Sequence, residues 1–298
     1  LAATVEAAGF SGLYRSDHFT DPEPPNQDSL ELVVSLAYLA AATERIQFGP
    51  CVAPVSFRDP LMFARQAMHL DDLSGGRMVL GLGAGWQERE HAMFGYPLGD
   101  VKTRLARFED ALAAVHLLLR GEGPANYEGQ FYQLRDAELL PRPQRPGGPR
   151  IMIGGNGPKR TLPLAARYAD IWNGVFLAPD DYQALSARLD DLLRAEGRAP
   201  GDVRRTAMTA LFFGRDVAQL AERLSWRSEE EGFVGTSLDE TVAALREGNQ
   251  RVVGTTDEVI RQLRVFADAG VQEMYLQWFQ LDDMDGLREF AELVLPHV

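Results

Sequence analysis

Leu73-Ser-Gly-Gly-Arg-Met-Val-Leu-Gly-Leu-Gly-Ala-Gly-Trp86 holds the information on which the fold turns. A helix ends before Ser74-Gly75-Gly76. Arg77 to Leu82 follows as a short apolar run, the pattern of a strand buried on both faces, and strands of that kind belong to parallel sheets. Glycines then crowd the strand's C-terminal end. The same unit repeats on either side. Strands are predicted at Ser11–Arg15, Ile46–Val52, Arg150–Ile153, Asp170–Asn173, Arg205–Phe213 and Val271–Trp278. Between them lie helical stretches. One is capped by Ser29 and runs to about Thr43, and one starts at Asp59-Pro60. Others cover Lys102–Arg120, Pro158–Tyr168, Pro179–Glu196, Val217–Arg227 and Ser237–Glu247, then a stretch from Thr255 or Thr256 to Ala269, and Asp285–Leu293.

Seven strands, each followed by a helix, imply a parallel sheet. Two closures are compatible with that count: a doubly wound sheet, and an eight-fold (β/α) barrel short of one N-terminal strand. The barrel is favoured, because no point of reversal is evident. The chain opens on Leu1 inside a helical stretch that Gly9 stops, so a strand ahead of Leu1 is expected. Residues 1–298 read as one domain. Residues 121–149 break the alternation, are rich in Gly and Pro, and carry a hairpin around Tyr127–Tyr132.

The 298 residues carry 30 Lys+Arg against 43 Asp+Glu, a formal charge of −13. No basic stripe exists to neutralise nucleic-acid phosphates. Cys51 is the single cysteine, which excludes an intrachain disulfide and a multi-cysteine metal site. The most apolar stretch, Leu32–Ala42, is too short to span a bilayer, and no signal peptide is visible. A cytoplasmic enzyme acting on a small molecule, with neither nucleic acid, membrane nor metal as partner, is the expectation.

In a barrel, chemistry sits at the C-terminal strand ends. Those ends hold Asp17-His18, Cys51-Val52, Gly83-Ala84-Gly85-Trp86, Gly154-Gly155-Asn156-Gly157 and Gln277-Trp278. His18 can exchange a proton near neutral pH. Gly81-Leu-Gly-Ala-Gly departs from the dinucleotide fingerprint, whose last glycine is here Trp86. Gly154–Gly157 precedes a helix, where unpaired N–H groups can hold a phosphate. His69 and His116 lie within helices, and His91, beside Glu88 and Glu90, reads as part of a solvated helix face. Neither His-Glu-x-x-His nor Gly-x-Ser-x-Gly occurs. No base adjoins Cys51, so it reads as a small residue at a distorted strand end rather than as a nucleophile.

Together these stretches resemble the luciferase-like monooxygenase family, and within it the F420-dependent oxidoreductases. The likeness rests on Ala8-Gly-Phe-Ser-Gly-Leu-Tyr-Arg-Ser-Asp-His18, Arg45-Ile-Gln-Phe-Gly-Pro-Cys-Val-Ala-Pro54, the 73–86 stretch, Ile151-Met-Ile-Gly-Gly-Asn-Gly157, Ala169-Asp-Ile-Trp-Asn173 and Val253-Gly-Thr-Thr-Asp-Glu-Val259. It implies a (β/α)₈ TIM barrel of the bacterial-luciferase type, with F420 or FMN seated ring-first in the barrel mouth. It implies a non-proline cis peptide at Cys51–Val52 behind that ring. His18 takes the family's acid/base position, and Asp17 beside it, like Cys51 and Val52, lines the cofactor site. Gly83, Ala84 and Gly85 line the cofactor, and Gly154, Gly155, Asn156 and Gly157 hold its phosphate. The 121–149 segment covers the substrate site.

Trp86 stands where some F420-dependent dehydrogenases carry a glutamate, and reads as a wall of the substrate pocket. That departure puts sugar-phosphate dehydrogenase activity in question. Arg104 and Glu109 match family positions and read as structural ion-pair members. Lys159 and Arg160 are candidates for the F420 tail. Hydride transfer between reduced F420 and a small organic substrate is the main expectation. An FMN-dependent monooxygenase using O₂ and a barrel without turnover are the alternatives. An ordinary sugar-phosphate barrel enzyme would need a Lys or Glu at a strand end, and none is found there. The resemblance also suggests a homodimer.

Overall fold

The computed structural model describes residues 1–23, 25–226 and 234–298. Its first half contains α1 (Ala2–Ala7), β1 (Gly12–Arg15), α2 (Leu32–Ala42), β2 (Gln47–Pro50), β3 (Ala53–Pro54), α3 (Pro60–Leu73), β4 (Val79–Gly83), α4 (Glu88–Phe94) and α5 (Val101–Arg120). A hairpin of β5 (Ala125–Glu128) and β6 (Gln133–Ala137) follows. The second half contains β7 (Arg150–Gly154), α6 (Thr161–Tyr168), β8 (Ile171–Val175), α7 (Pro179–Ala195), β9 (Arg204–Phe213), α8 (Val217–Trp226) and α9 (Leu238–Arg246). It closes with β10 (Val252–Gly254), α10 (Thr256–Asp268), β11 (Glu273–Gln277) and α11 (Met284–Val294). The last residue of the predicted Val217–Arg227 helix lies outside the described residues.

All seven expected strands form, as β1, β2, β4, β7, β8, β9 and β11. They pair in parallel in chain order: β1 with β2, β4 with β7, β7 with β8, β8 with β9, and β9 with β11. A single bridge, Phe48 to Met78, joins β2 to β4. Strand order never reverses, so the sheet is a (β/α) barrel and not a doubly wound one. Among the described residues no ladder joins β1 to β11. There the rings of Tyr14 and Tyr275 stack at 4.4 Å, and Ser11 Oγ donates to Glu273 at 2.7 Å. Val79, Met152, Ile171 and Tyr275 pack inside the barrel with Tyr14, Cys51, Val52 and Met208. The larger apolar cluster lies between strands and helices, around residues such as Phe48, Phe63, Phe108 and Trp172. Among the described residues no helix is long and apolar enough to cross a membrane.

Four details differ from the sequence reading. Strand Ile46–Val52 stops at Pro50, and its pairing resumes at Ala53–Pro54 against Leu82 and Gly83. Ser29 does not cap α2; Glu31 does, accepting from Val34 N at 2.8 Å, while Ser29 Oγ donates to the His18 carbonyl at 2.6 Å. The three residues of β10, flanked by helices, pair with Leu211–Phe213 of β9 and were too short to show a period. His91 is buried, not solvated.

The predicted hairpin forms and is fastened to α5 by Asp110. That carboxylate accepts from the backbone N–H groups of Phe131 (2.5 Å) and Tyr132 (3.0 Å), and from the Tyr127 hydroxyl. Arg107 stacks over Phe131 at 5.4 Å and donates to the Pro97 carbonyl, which ties the hairpin to the loop after α4.

Candidate functional site

Three strand ends build the floor of the barrel mouth. At the end of β2 the Cys51–Val52 peptide is cis, at the position the sequence resemblance indicated. The Val52 side chain occupies space left by three glycines. A Cβ on Gly83 would lie 2.6 Å from Val52 Cγ2, one on Gly81 3.2 Å from Cγ1, and one on Gly154 3.1 Å from Cγ1. A Cβ on Gly81 would also lie 2.0 Å from the Pro50 carbonyl oxygen. The backbone contact bars a side chain at Gly81, whereas a Cβ at Gly83 or Gly154 would force Val52 to shift.

Cys51 is pushed up to about 12 by burial, and its Sγ donates to Asn173 Oδ1 at 3.5 Å. The thiol is therefore neutral near pH 7, which disposes of the nucleophile reading. Asn173, fully buried, passes the network on to Thr206 Oγ1 at 2.9 Å.

The loop after β7 is fixed from both sides. Gly155 N donates to the Asn173 carbonyl at 3.0 Å, and Trp172 Nε1 donates to the Gly155 carbonyl at 2.9 Å. Asn156 clasps Val175 twice: its Nδ2 donates to the Val175 carbonyl at 2.7 Å, and its Oδ1 accepts from Val175 N at 2.9 Å. Gly155 sits at φ +127°, a backbone state that L side chains rarely adopt. Among the described residues, the backbone N–H groups of Asn156 and Gly157 meet no acceptor, and they stand just before α6. This is the donor set that an anion at a helix start needs. Lys159 follows, exposed. Arg160 is paired with Glu109 at 2.9 Å, whereas Arg104 has no ion pair among the described residues.

His18 lies at the end of β1 with part of its ring open to solvent. Its Nδ1 is 2.9 Å from Glu90 Oε1, on α4, and Glu90 Oε2 accepts from Phe19 N at 2.9 Å. A carboxylate accepts, so Nδ1 carries the hydrogen and Nε2 is left as the ring's available atom. Among the described residues Nε2 has no partner. Trp86 stands edge-on to the ring at 5.7 Å and is 58% exposed. Asp17, the neighbour of His18, is buried and held bidentately by Arg58, Nε to Oδ2 at 2.7 Å and Nη2 to Oδ1 at 3.0 Å. Arg58 also reaches Glu31 at 2.9 Å.

Gly85 turns the chain after β4 at φ +83°, close to Ser56, whose hydroxyl meets His91 Nε2 at 2.7 Å. His91 Nδ1 donates to the Gln87 carbonyl at 2.7 Å, so this histidine fastens α4 to the β3 loop.

The strand ends thus bring His18, Val52, Gly83 and Gly154–Gly157 to one face of the barrel, while the Asp17 carboxylate is taken up by Arg58. The sequence reading missed Glu90 as the partner of His18. No sequence signal pairs them, because 72 residues separate the two.

Among the described residues no cluster of His, Cys, Asp and Glu could hold a metal ion. The glycine floor, the two acceptor-free amides and the unpaired Nε2 fit a flat ring system bearing a phosphate.

Known proteins resemble this chain in sequence and in fold. The family model for luciferase-like monooxygenases matches residues 1–273. An F420-dependent glucose-6-phosphate dehydrogenase of Amycolatopsis mediterranei is 27% identical over 318 residues, 99% of this chain and 92% of that protein. A phthiodiolone/phenolphthiodiolone dimycocerosates ketoreductase of Mycobacterium kansasii is 31% identical over 202 residues, 67% of this chain and 53% of that protein. Among solved structures, an F420-dependent secondary alcohol dehydrogenase in complex with an F420-acetone adduct shares the fold. Its TM-score is 0.84 at 20% identity, covering 100% of this chain and 93% of that one. The chain belongs to the luciferase-like monooxygenase family.

Proposed function

We propose that this protein is an oxidoreductase that moves hydride between F420 and a small organic substrate. The observation that carries the reading is the floor of Gly81, Gly83 and Gly154 around Val52, with His18 at its rim. When bound, the deazaflavin supplies a ring carbon that gives or takes hydride. Every other part is the protein's. Val52 backs the ring, and Gly83, Ala84 and Gly85 edge it. The N–H groups of Asn156 and Gly157 hold a phosphate, and the Asn156–Val175 clasp keeps Gly154–Gly157 in shape. Asp17 acts through Arg58 to set the end of β1.

His18 handles the proton. With Nδ1–H fixed on Glu90, a neutral ring accepts a proton at Nε2 from a substrate hydroxyl, and a charged ring returns one to a carbonyl oxygen. The buried carboxylate fixes the ring's orientation, so the proton travels at a defined atom. Trp86 walls the pocket beside it.

Residues 1–298 act as one catalytic unit, with the 121–149 segment on its substrate side. The cytoplasmic placement expected from the sequence belongs to the same reading. So does a homodimer: adjacent helices α2 and α3 expose Val34, Tyr38 and Met62 to solvent. Sedimentation at micromolar concentration tests that pairing.

The activity is tested anaerobically. Reduced F420 is mixed with the enzyme and a panel of ketones and aldehydes, and cofactor oxidation is followed. The wild type oxidises it with at least one carbonyl compound, and His18→Ala does so at least about 100-fold more slowly. Equal rates for the two proteins would remove His18 from the chemistry. Turnover with reduced FMN and O₂ alone would replace the proposal by the monooxygenase alternative.

A further inference from the structure

Beside His18 the barrel mouth carries an apolar wall. Phe19 stacks on Phe94 at 4.1 Å and on Tyr96 at 6.0 Å, and Phe57 leans on Phe19 at 5.1 Å. Phe94 is 51% exposed, and Phe19 and Tyr96 also reach solvent. Trp86, edge-on to the imidazole, adds to the aromatic surface near it. Exposed aromatic groups in contact with one another, next to an unpaired hydrogen-bonding atom, mark a ligand groove.

The arginines next to this wall in the chain, or bonded to its loops, are engaged. Arg58 is held by Asp17 and Glu31. Arg89 donates to the Asp21 carbonyl and to Asn26. Arg107 serves Pro97 and Phe131. Arg223 is bound by Asp283 at 2.8 Å and by the Phe213 carbonyl. The stretch after β11, Gln277–Asp283, adds Asp282 and Asp283 and contains no cation. A phosphate dianion needs donors that are still available, and carboxylates beside it repel it.

Resting on the oxidoreductase reading, we infer that the substrate is a neutral secondary alcohol or ketone carrying an aromatic or extended apolar group, and not a sugar phosphate. The oxygen meets His18 Nε2, and the apolar group lies along Phe94, Phe19 and Tyr96. Trp86 offers the oxygen no charged partner beside His18.

The test is equilibrium binding to the full chain without turnover, by titration calorimetry. Acetophenone, 2-decanone and glucose 6-phosphate are compared, with F420 titrated separately. At least one of the ketones binds roughly tenfold or more tightly than glucose 6-phosphate, and Phe94→Ser weakens ketone binding about tenfold while F420 binding stays unchanged. Tyr96→Ser, at a second exposed position, weakens it in the same direction. Glucose 6-phosphate binding as tightly as both ketones, or both variants retaining full ketone affinity, overturns the inference. If ketones bind as described and F420 does not bind, the inference stands and the cofactor assignment falls.

Discussion

Nδ1 of His18 and Oε1 of Glu90 lie 2.9 Å apart, although 72 residues separate them in the chain. The carboxylate is 1% exposed and, among the described residues, accepts only from His18 and Phe19 N. A buried carboxylate with two donors and no Lys or Arg in contact is costly unless both donors stay. The pair therefore couples the position of α4 to the end of β1.

Glu90→Gln keeps the shape and removes the charge beside the ring. Its kcat should fall roughly 10- to 100-fold, with F420 affinity unchanged within about twofold. The pH–rate profile should move as well, which a purely structural role would not produce. An unaltered profile and kcat would show that Glu90 only packs.

Gly83→Ala places a Cβ 2.6 Å from Val52 Cγ2. Thermal unfolding should show a loss of roughly 1–3 kcal/mol. Val52→Ala added to it should restore part of that loss, since the two positions compete for one space, and a double-mutant cycle would read the coupling. Strict additivity would mean that the strain is relieved elsewhere.

Asn156→Ala removes both bonds to Val175 and frees the phosphate loop. F420 should bind about tenfold more weakly, while the unfolding midpoint changes little by comparison. Unchanged affinity would take the loop out of cofactor binding.

The thiol of Cys51, pushed up to about 12, is protonated throughout the ordinary pH range. At pH 8 only about 1 in 10⁴ molecules carries a thiolate. Labelling by a disulfide reagent should be slow in the native protein and immediate in urea. Fast native labelling would show an exposed or activated sulfur.

Much of the barrel was legible because each buried strand left a short apolar run and each strand end a glycine or a break. The 79–83 strand and the Gly154–Gly157 turn were plain for that reason. The break at Cys51–Val52 came from resemblance, since no period or propensity marks it. Ser29 was expected to cap α2 because serine is a preferred cap type, and only tertiary demand hands that role to Glu31. There Ser29 was drawn to the His18 carbonyl. His91, beside Glu90, was read as part of a solvated face because a short acidic stretch after glycines carries no apolar period, and the burial of both depends on His18, Phe19 and Ser56 arriving from elsewhere. β10 was hidden by its length. Aromatic contact among Phe19, Phe94 and Tyr96 is likewise a product of packing between distant loops.

The central claim is that the glycine floor and the 154–157 loop hold a deazaflavin. Fluorescence titration of the purified chain with F420 and, in parallel, with FMN tests it most directly. Saturable F420 binding with one site per chain, at least about tenfold tighter than FMN, is the result expected. Failure of F420 to bind, or tight binding of FMN alone, would contradict it.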